Sequence, residues 1–509
     1  MIKTDLIAPI GELLGRQASS RPKAPAFRDK TRAVDYGALA ERTSRIACYL
    51  QAIGVEAGER VAIHLPNSVD WVEACLAIVR AGAVAVPISF DATPDEIAYR
   101  LSDAQCVAVF THPDREERLR GLAAGGQPFT PIAFRDGIGA PFSRDAEGGM
   151  SSPRDPTAIE APAFIVYTSG TTGRAKGVVL SLQGMLWVTA SCWAPIAGLS
   201  QDDYVLNALP LYHSYALNLA VVSIIATGAS EYLMEQFSAS RLAELLAQEP
   251  ITLLPGVPTV FHYMLEKAKE EGRRTLSRAR ICLSAGAVLP GPLNREFESW
   301  FGVKLIDGYG ITETSTMVTI NSPQGGRFMG SCGLPLPGLA TRIVDLDGRD
   351  VAPGAEGELI VRGPNVMLGY HCNPEATAIA LKDGWYRTGD LARADRFGFL
   401  TITGRLKEVI IRGGQNIAPA EVEEAISAHD SVLDCAVVGI AHEFLGEVPV
   451  AFVIPRPGHE IDPISILEHC RGRLSSYKAP HAIHAVTTIP RTGSGKVQRF
   501  KLKELLKEP

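Results

Sequence analysis

The chain has 509 residues, is 46% hydrophobic and 21% charged, and carries a formal net charge of -6. That length exceeds one ordinary core and suggests roughly two to four domains, while the balance excludes disordered and fibrous classes. Charges of both signs are interspersed without a basic stripe, which argues against nucleic acid as a partner; a phosphate-bearing ligand must be held by a local site.

Met1 to Asp5 opens without a charged segment leading into an apolar run, so no signal peptide is expected. The nine cysteines are scattered singly, odd in number and without a C-x-x-C pair. Neither a disulfide framework nor a zinc site is expected from them, and a cytoplasmic location is. Gly82 to Phe90 reads as a buried strand, Thr93-Pro94-Asp95-Glu96 opens a helix, and Gln105 to Phe110 reads as the next strand. The Gly-, Ser-, Pro- and Asp-rich stretch from Asp136 to Ala161 reads as a long surface connection.

The apolar runs Ala163 to Val166 and Val178 to Leu180 read as two strands. A loop joins them: Ser169, Gly170, Thr171, Thr172, Gly173, Arg174, Ala175 and Lys176. Glycines let such a loop approach an anion closely, and successive N–H groups form an anion-binding concavity. Three hydroxyls and a lysine add donors and charge, the chemistry of a nucleotide phosphate site. The loop is not a G-x-x-x-x-G-K-[ST] motif, because Lys176 is followed by Gly177 and a strand-like run. A plain polar hairpin turn is the alternative.

Ala216 to Thr227 is apolar but shorter than the about 20 residues that span a bilayer, and is expected to be a buried helix rather than a membrane span. The strand–helix–strand rhythm returns at Ile251 to Leu254, a helix from Pro258, and Ile281 to Ser284, which favours α/β layers with largely parallel sheets. Tyr309 to Thr314, YGITET, reads as a turn and a helix N-terminus. Beyond Gly333 the segments Ala340 to Val344, Gly357 to Val361 and Phe399 to Thr403 suggest a small β-rich subdomain. Within it, the T-G-D of YRTGDL, Tyr386 to Leu391, reads as a turn. After Gly404 a smaller α+β unit is expected. In it a helix starts at Pro419 with Val422, Ala425 and Ile426 on one face. Strands follow at Asp434 to Ile440 and Val448 to Ile454, and Asp462-Pro463 opens another helix. The expected division is residues 1–403 and 404–509.

TSGTTGRAKG, Thr168 to Gly177, resembles the phosphate loop of the adenylate-forming superfamily: acyl-CoA synthetases, adenylation domains and beetle luciferases. The resemblance implies a large α/β N-terminal domain and a smaller mobile α+β C-terminal domain. It assigns ATP binding to Thr168, Ser169, Gly170, Thr171, Thr172, Gly173 and Lys176, with Asp307, Gly308, Tyr309 and Gly310 around adenine. Thr312 would contact the α-phosphate, and Glu313 would hold Mg²⁺, which takes one or two carboxylates beside phosphate oxygens. Asp390 would accept from the ribose hydroxyls, and Arg405 would reach ribose or phosphate. Gly404 to Pro419 resembles the interdomain hinge, with Lys407 at the pivot and Gly413-Gly414 lining a tunnel for a thiol arm. Lys496, in PRTGSGK, would swing in to meet the substrate carboxylate and the α-phosphate. His213, in LPLYHSYAL, would border the acyl group and thiol entry, and Tyr215, Gly286 and Ala287 would shape the acyl pocket.

No fixed cation falls among these pocket residues, so a mainly apolar fatty or aryl acid is expected. The implied activity is ATP-dependent formation of an acyl-adenylate and transfer to a thiol, coenzyme A foremost. A carrier-protein phosphopantetheine or another nucleophile is the alternative acceptor. A nucleotide-binding regulator without catalysis is the remaining reading, against which stand Glu313, Asp390, Arg405 and Lys496.

Overall fold

The computed structural model describes residues 1–125, 128–134, 152–168, 175–413, 415–492 and 496–506. Two large sheets with helices packed against them build the N-terminal region. In one, the strands Arg60–His64, Val84–Pro87, Cys106–Thr111 and Thr130–Ala133 run parallel. Pro162–Thr168 lies parallel to Val84–Pro87 and pairs antiparallel with Lys176–Ser181. The other sheet places Pro25–Arg28, Ser230–Leu233, Tyr204–Asn207, Leu253–Gly256, Ile281–Ser284 and Lys304–Tyr309 side by side, parallel. One apolar core is shared between them, with Trp71, Trp193, Phe27 and Phe164 each almost wholly buried.

Local signals account for several of these elements. Thr93 accepts from the N–H of Glu96 while Glu96 reaches back to the N–H of Thr93, a reciprocal cap that starts the helix Pro94–Asp103. Pro258 opens the helix Pro258–Glu270, where its missing N–H costs nothing. The expected buried helix is a continuous helical run from Ser214 to Thr227 whose middle, Leu217–Val222, is wound as a π-helix.

A third, antiparallel sheet holds Ala340–Val344, Gly357–Arg362, Trp385–Ala394 and Leu400–Arg405. It corrects one reading: T-G-D is not a chain-reversing turn but lies inside the long strand Trp385–Ala394. Glu358 pairs with Leu391 and Ile360 with Arg387, so Thr388-Gly389-Asp390 bulge out opposite Leu359. Gly389 takes φ +70° there, and its N–H donates to Glu358 Oε1 at 3.1 Å. A second correction concerns the helix expected at YGITET, which is only the 3₁₀ turn Thr312–Thr314. Ser315 and Thr316 follow at φ 51° and 113°, outside the right-handed helical region, and end it.

The last sheet combines Ile410–Arg412, Gln415–Ile417, Val432–His442, Gly446–Pro455 and Ala482–Ala485. Apolar clusters cover both of its faces, and their buried members all come from residues 410 onward. Asp462 caps the helix Pro463–Arg471, and Val422, Ala425 and Ile426 are buried from the helix Pro419–Ser427. Only residues 406–409 connect this sheet to the preceding one. The fold is thus a large layered α/β region with a small β-rich subdomain, followed by a smaller α+β domain. Among the described residues, no helix is long and apolar enough to cross a membrane.

Candidate active site

A cleft of about 810 Å³ opens between the large region and the C-terminal domain. Lys304–Tyr309 delivers Asp307, Gly308 and Tyr309 to its wall, and the chain turns back at once through Gly310. A Cβ on Gly310 would stand 1.4 Å from the carbonyl oxygen of Thr316, so this return admits no side chain. Asp307 is 6% exposed and its Oδ1 has no hydrogen-bond partner among the described residues. Burial pushes its carboxyl well above the usual range, opposed by the N–H of Gly308.

The bulge in Trp385–Ala394 aims Asp390 into the same cleft, where it faces Arg405 across the ladder. Arg405 Nε lies 2.8 Å from Asp390 Oδ1, and the Tyr309 hydroxyl donates to Oδ2 at 2.6 Å. Tyr309 and Arg405, from different sheets, thus share one carboxylate. Thr312, buried, lies 3.1 Å hydroxyl to hydroxyl from Ser214, whose carbonyl accepts from Thr316 at 2.7 Å. These bonds lock the 3₁₀ turn to the segment that carries His213.

Glu313 sits at this junction. Its Oε1 accepts from the Tyr370 hydroxyl at 3.1 Å, and Lys176 Nζ stands 5.0 Å above the Tyr370 ring. Lys176 pairs with Thr168 where the two strands leave the loop. Ser169, Gly170, Thr171, Thr172 and Gly173 lie outside the described residues, as does Gly414.

Lys496 enters the cleft from the C-terminal domain. Desolvation and the neighbouring Arg405 guanidinium lower its pKa below the usual lysine range; Asp390, Glu313 and Glu408 pull the other way. The charge of the same ammonium is also felt at His213. Burial first, then Lys496, depresses the His213 imidazole to about 3. His213 caps the turn that follows it, its Nδ1 facing the Tyr215 N–H at 3.4 Å. His213, Tyr215 and Gly286 line a small adjoining recess, while Ala287 lines the main cleft. Tyr215 is fixed: its hydroxyl donates to the carbonyl of Leu283 at 3.0 Å and its ring stacks on Trp193.

Lys407 borders the cleft with an exposed side chain. Gly413 does not: it sits exposed in the hairpin between Ile410–Arg412 and Gln415–Ile417, at φ 57°. Two residues not singled out from sequence also join the site. Tyr370 stands in the two-residue strand Gly369–Tyr370 beside Val178, and Ser214 is a plain serine next to a histidine. Neither carries a local signal; each is found only through its tertiary partner.

An imidazole so depressed is neutral throughout the physiological range. Between its folded value near 3 and the ordinary 6.5, the unfolded chain binds a proton that the folded chain refuses. Its contribution to stability therefore falls as pH falls through that window. Any activity that depends on this cleft is expected to show no ionisation of His213 between about pH 5 and 8. The check compares the pH–rate profile with that of His213→Asn; a limb near pH 6.5 that vanishes in the variant would contradict this.

The sequence model of the AMP-binding enzyme family matches residues 14–371, and that of the AMP-binding enzyme C-terminal domain matches residues 421–496. The chain is 34% identical over 489 residues to a feruloyl-CoA synthase of Amycolatopsis sp, covering 96% of this chain and 97% of that protein. It is 35% identical to an indoleacetate–CoA ligase of Aromatoleum aromaticum, covering 98% of each. The ATP-bound crystal structure of MatB from Rhodopseudomonas palustris superposes with a TM-score of 0.89 at 32% identity, over 98% of this chain and 99% of that one. The apo structure of the same protein superposes with a TM-score of 0.77.

Proposed function

This chain belongs to the AMP-binding, adenylate-forming enzyme family, and on that premise we propose that it is an AMP-forming acid–thiol ligase acting on a mainly apolar fatty or aryl acid, with coenzyme A as acceptor. In the first step a carboxylate oxygen of the acid bonds to the α-phosphorus of ATP. The bond from that phosphorus to the bridging oxygen breaks, and pyrophosphate leaves. In the second step the thiol gives up its proton and its sulfur bonds to the acyl carbon. The mixed-anhydride C–O bond breaks and AMP leaves with the electron pair.

The observation that carries this reading is the convergence of Lys496 with the Arg405–Asp390 pair in one cleft, with His213 in the recess beside it. Adenylation brings two anions together, and a positioned cation between them lowers the barrier. Asp390 is our candidate to receive the ribose hydroxyls, and Asp307 to Gly310 form the adenine wall. Lys176 and Thr168 hold the described ends of the phosphate loop. Thr312 is assigned to the α-phosphate, while His213, Tyr215, Gly286 and Ala287 bound the acyl group. His213, neutral, serves as a hydrogen-bonding wall rather than a base.

Glu313 fits Mg²⁺: it is a hard oxygen donor whose partner Tyr370 lies under Lys176, and among the described residues one hydroxyl donor meets it, at Oε1. The ion, when bound, would neutralise phosphate charge. Glu313→Gln is expected to raise the Mg²⁺ concentration needed for half-maximal pyrophosphate release by about tenfold, in line with the loss of a charged ligand. A metal titration checks this, and an unchanged midpoint would overturn the assignment.

Transfer requires Lys496 to withdraw. We place the pivot at Lys407, within the connection 406–409, and assign Gly413 and Gly414 to the thiol tunnel in the rotated arrangement. The position of Gly413 away from the cleft is compatible with that division of labour. A carrier protein carries the same pantetheine arm and remains the alternative acceptor. Screening benzoate, cinnamate and decanoate by ATP-dependent pyrophosphate release tests the first step, and thioester formation with free coenzyme A tests the second. Pyrophosphate release without a coenzyme A thioester would favour a carrier; no release with any acid would favour a nucleotide-binding regulator.

A further inference from the structure

One face of the helix Pro258–Glu270 is turned toward the C-terminal domain. Glu266 Oε2 on that face lies 3.5 Å from Arg456 Nη1, with both side chains mostly buried. Arg456 is rigidly mounted. It directly follows the strand Gly446–Pro455, and its N–H donates to the carbonyl of Ser431. Glu266 is oriented from its own side by Lys269 at 2.8 Å, which is shared with Glu296 at 2.7 Å. One turn earlier on the helix, Tyr263 lines the cleft together with Asp434 and Arg491, themselves paired at 2.8 Å. Neither Glu266 nor Arg456 is among the nucleotide or acyl residues assigned above, although Arg456 also borders the cleft.

The arrangement in which this pair forms is also the one in which Lys496 occupies the cleft. Any rotation about residues 406–409 that withdraws Lys496 must carry Arg456 off the helix. We propose that Glu266 and Arg456 are positioning residues, an interdomain latch that weights the chain toward the adenylation arrangement and touches no substrate. The inference rests on the two-step reading of the preceding section. A partly exposed ion pair biases such an equilibrium modestly, and facing like charges reverse the bias. The signature is a change in the ratio of the two half-reactions, since what one arrangement loses the other gains.

The test measures two rates in the full-length chain at low ionic strength. One is acid-dependent ATP–pyrophosphate exchange, using whichever of benzoate, cinnamate or decanoate is active. The other is thioester formation from the matching preformed acyl-adenylate and coenzyme A. Arg456→Glu is expected to lower exchange about two- to ten-fold while thioester formation holds or rises. Glu266→Lys in the same chain is expected to restore the wild-type ratio, and added salt to shrink the difference. Equal loss of both rates, an unchanged ratio in Arg456→Glu, or failure of the double variant to restore it would overturn the latch. Absence of exchange in the unmodified chain would instead overturn the proposed function.

Discussion

Lys496→Ala is expected to reduce acid-dependent pyrophosphate exchange by on the order of 10²–10³, the usual consequence of deleting one preorganised electrostatic group. Thioester formation from a supplied acyl-adenylate should stay within a few-fold of wild type if, as proposed, that step takes place with the lysine withdrawn. Comparing the two half-reactions decides the matter; equal loss of both would contradict the division between arrangements. Stability provides a control. The Lys496 ammonium is held in a desolvated position beside Arg405, which lowers its pKa. In the window between its folded pKa and the ordinary lysine value, the unfolded chain binds the extra proton, so its contribution to stability rises with pH there. Below that window the desolvated charge beside Arg405 subtracts from stability. The alanine variant should therefore melt at the same temperature as wild type or higher. Adenylation should also decline on the alkaline side before the ordinary lysine range, as the ammonium loses its proton.

Asp390→Ala should have the second-largest effect, a loss on the order of 10² in kcat/KM for ATP, since hydrogen bonds to a charged group are worth about 1.5–3 kcal/mol each. Asp390 is 3% exposed and is shared by Arg405 and the Tyr309 hydroxyl. Its removal leaves the guanidinium without this partner and the phenol without its acceptor. Breaking a buried pair costs about 3–5 kcal/mol of stability. That is an upper bound here, because the Arg405 side chain is 39% exposed. A readout specific to the ribose separates the two effects. Wild type should discriminate strongly between ATP and 2′,3′-dideoxy-ATP, whereas the variant should treat them nearly alike. Discrimination preserved in the variant would remove Asp390 from the ribose site.

Local chemistry made much of the fold readable from sequence. Thr93 and Glu96 announce a helix start by their spacing, and Pro258 and Asp462 do the same. The strand–loop–strand around Thr168 to Lys176 follows from two apolar runs flanking glycines and hydroxyls. The misreadings share a different cause. Gly389 and Asp390 carry turn chemistry, yet the bulge they form is set by pairing with Glu358 and Leu359 about thirty residues earlier. YGITET has the polar first turn of a helix, but Ser315 and Thr316 leave the helical region to bring the next strand back alongside. Tyr370 and Ser214 were illegible for the same reason. Their significance lies in a hydroxyl meeting Glu313 or Thr312, contacts that only the folded chain creates.

The four residues 406–409 span at most about 14 Å when fully extended. The lysine beyond them is consequently never free in solution with respect to its own cleft. Its local concentration is set by chain geometry, and dilution of the enzyme leaves it unchanged. A lysine borne on a separate polypeptide would need about millimolar amounts of that partner to match a short flexible tether. Covalent continuity would thus turn what could have been an encounter between two molecules into the first-order reorientation proposed above.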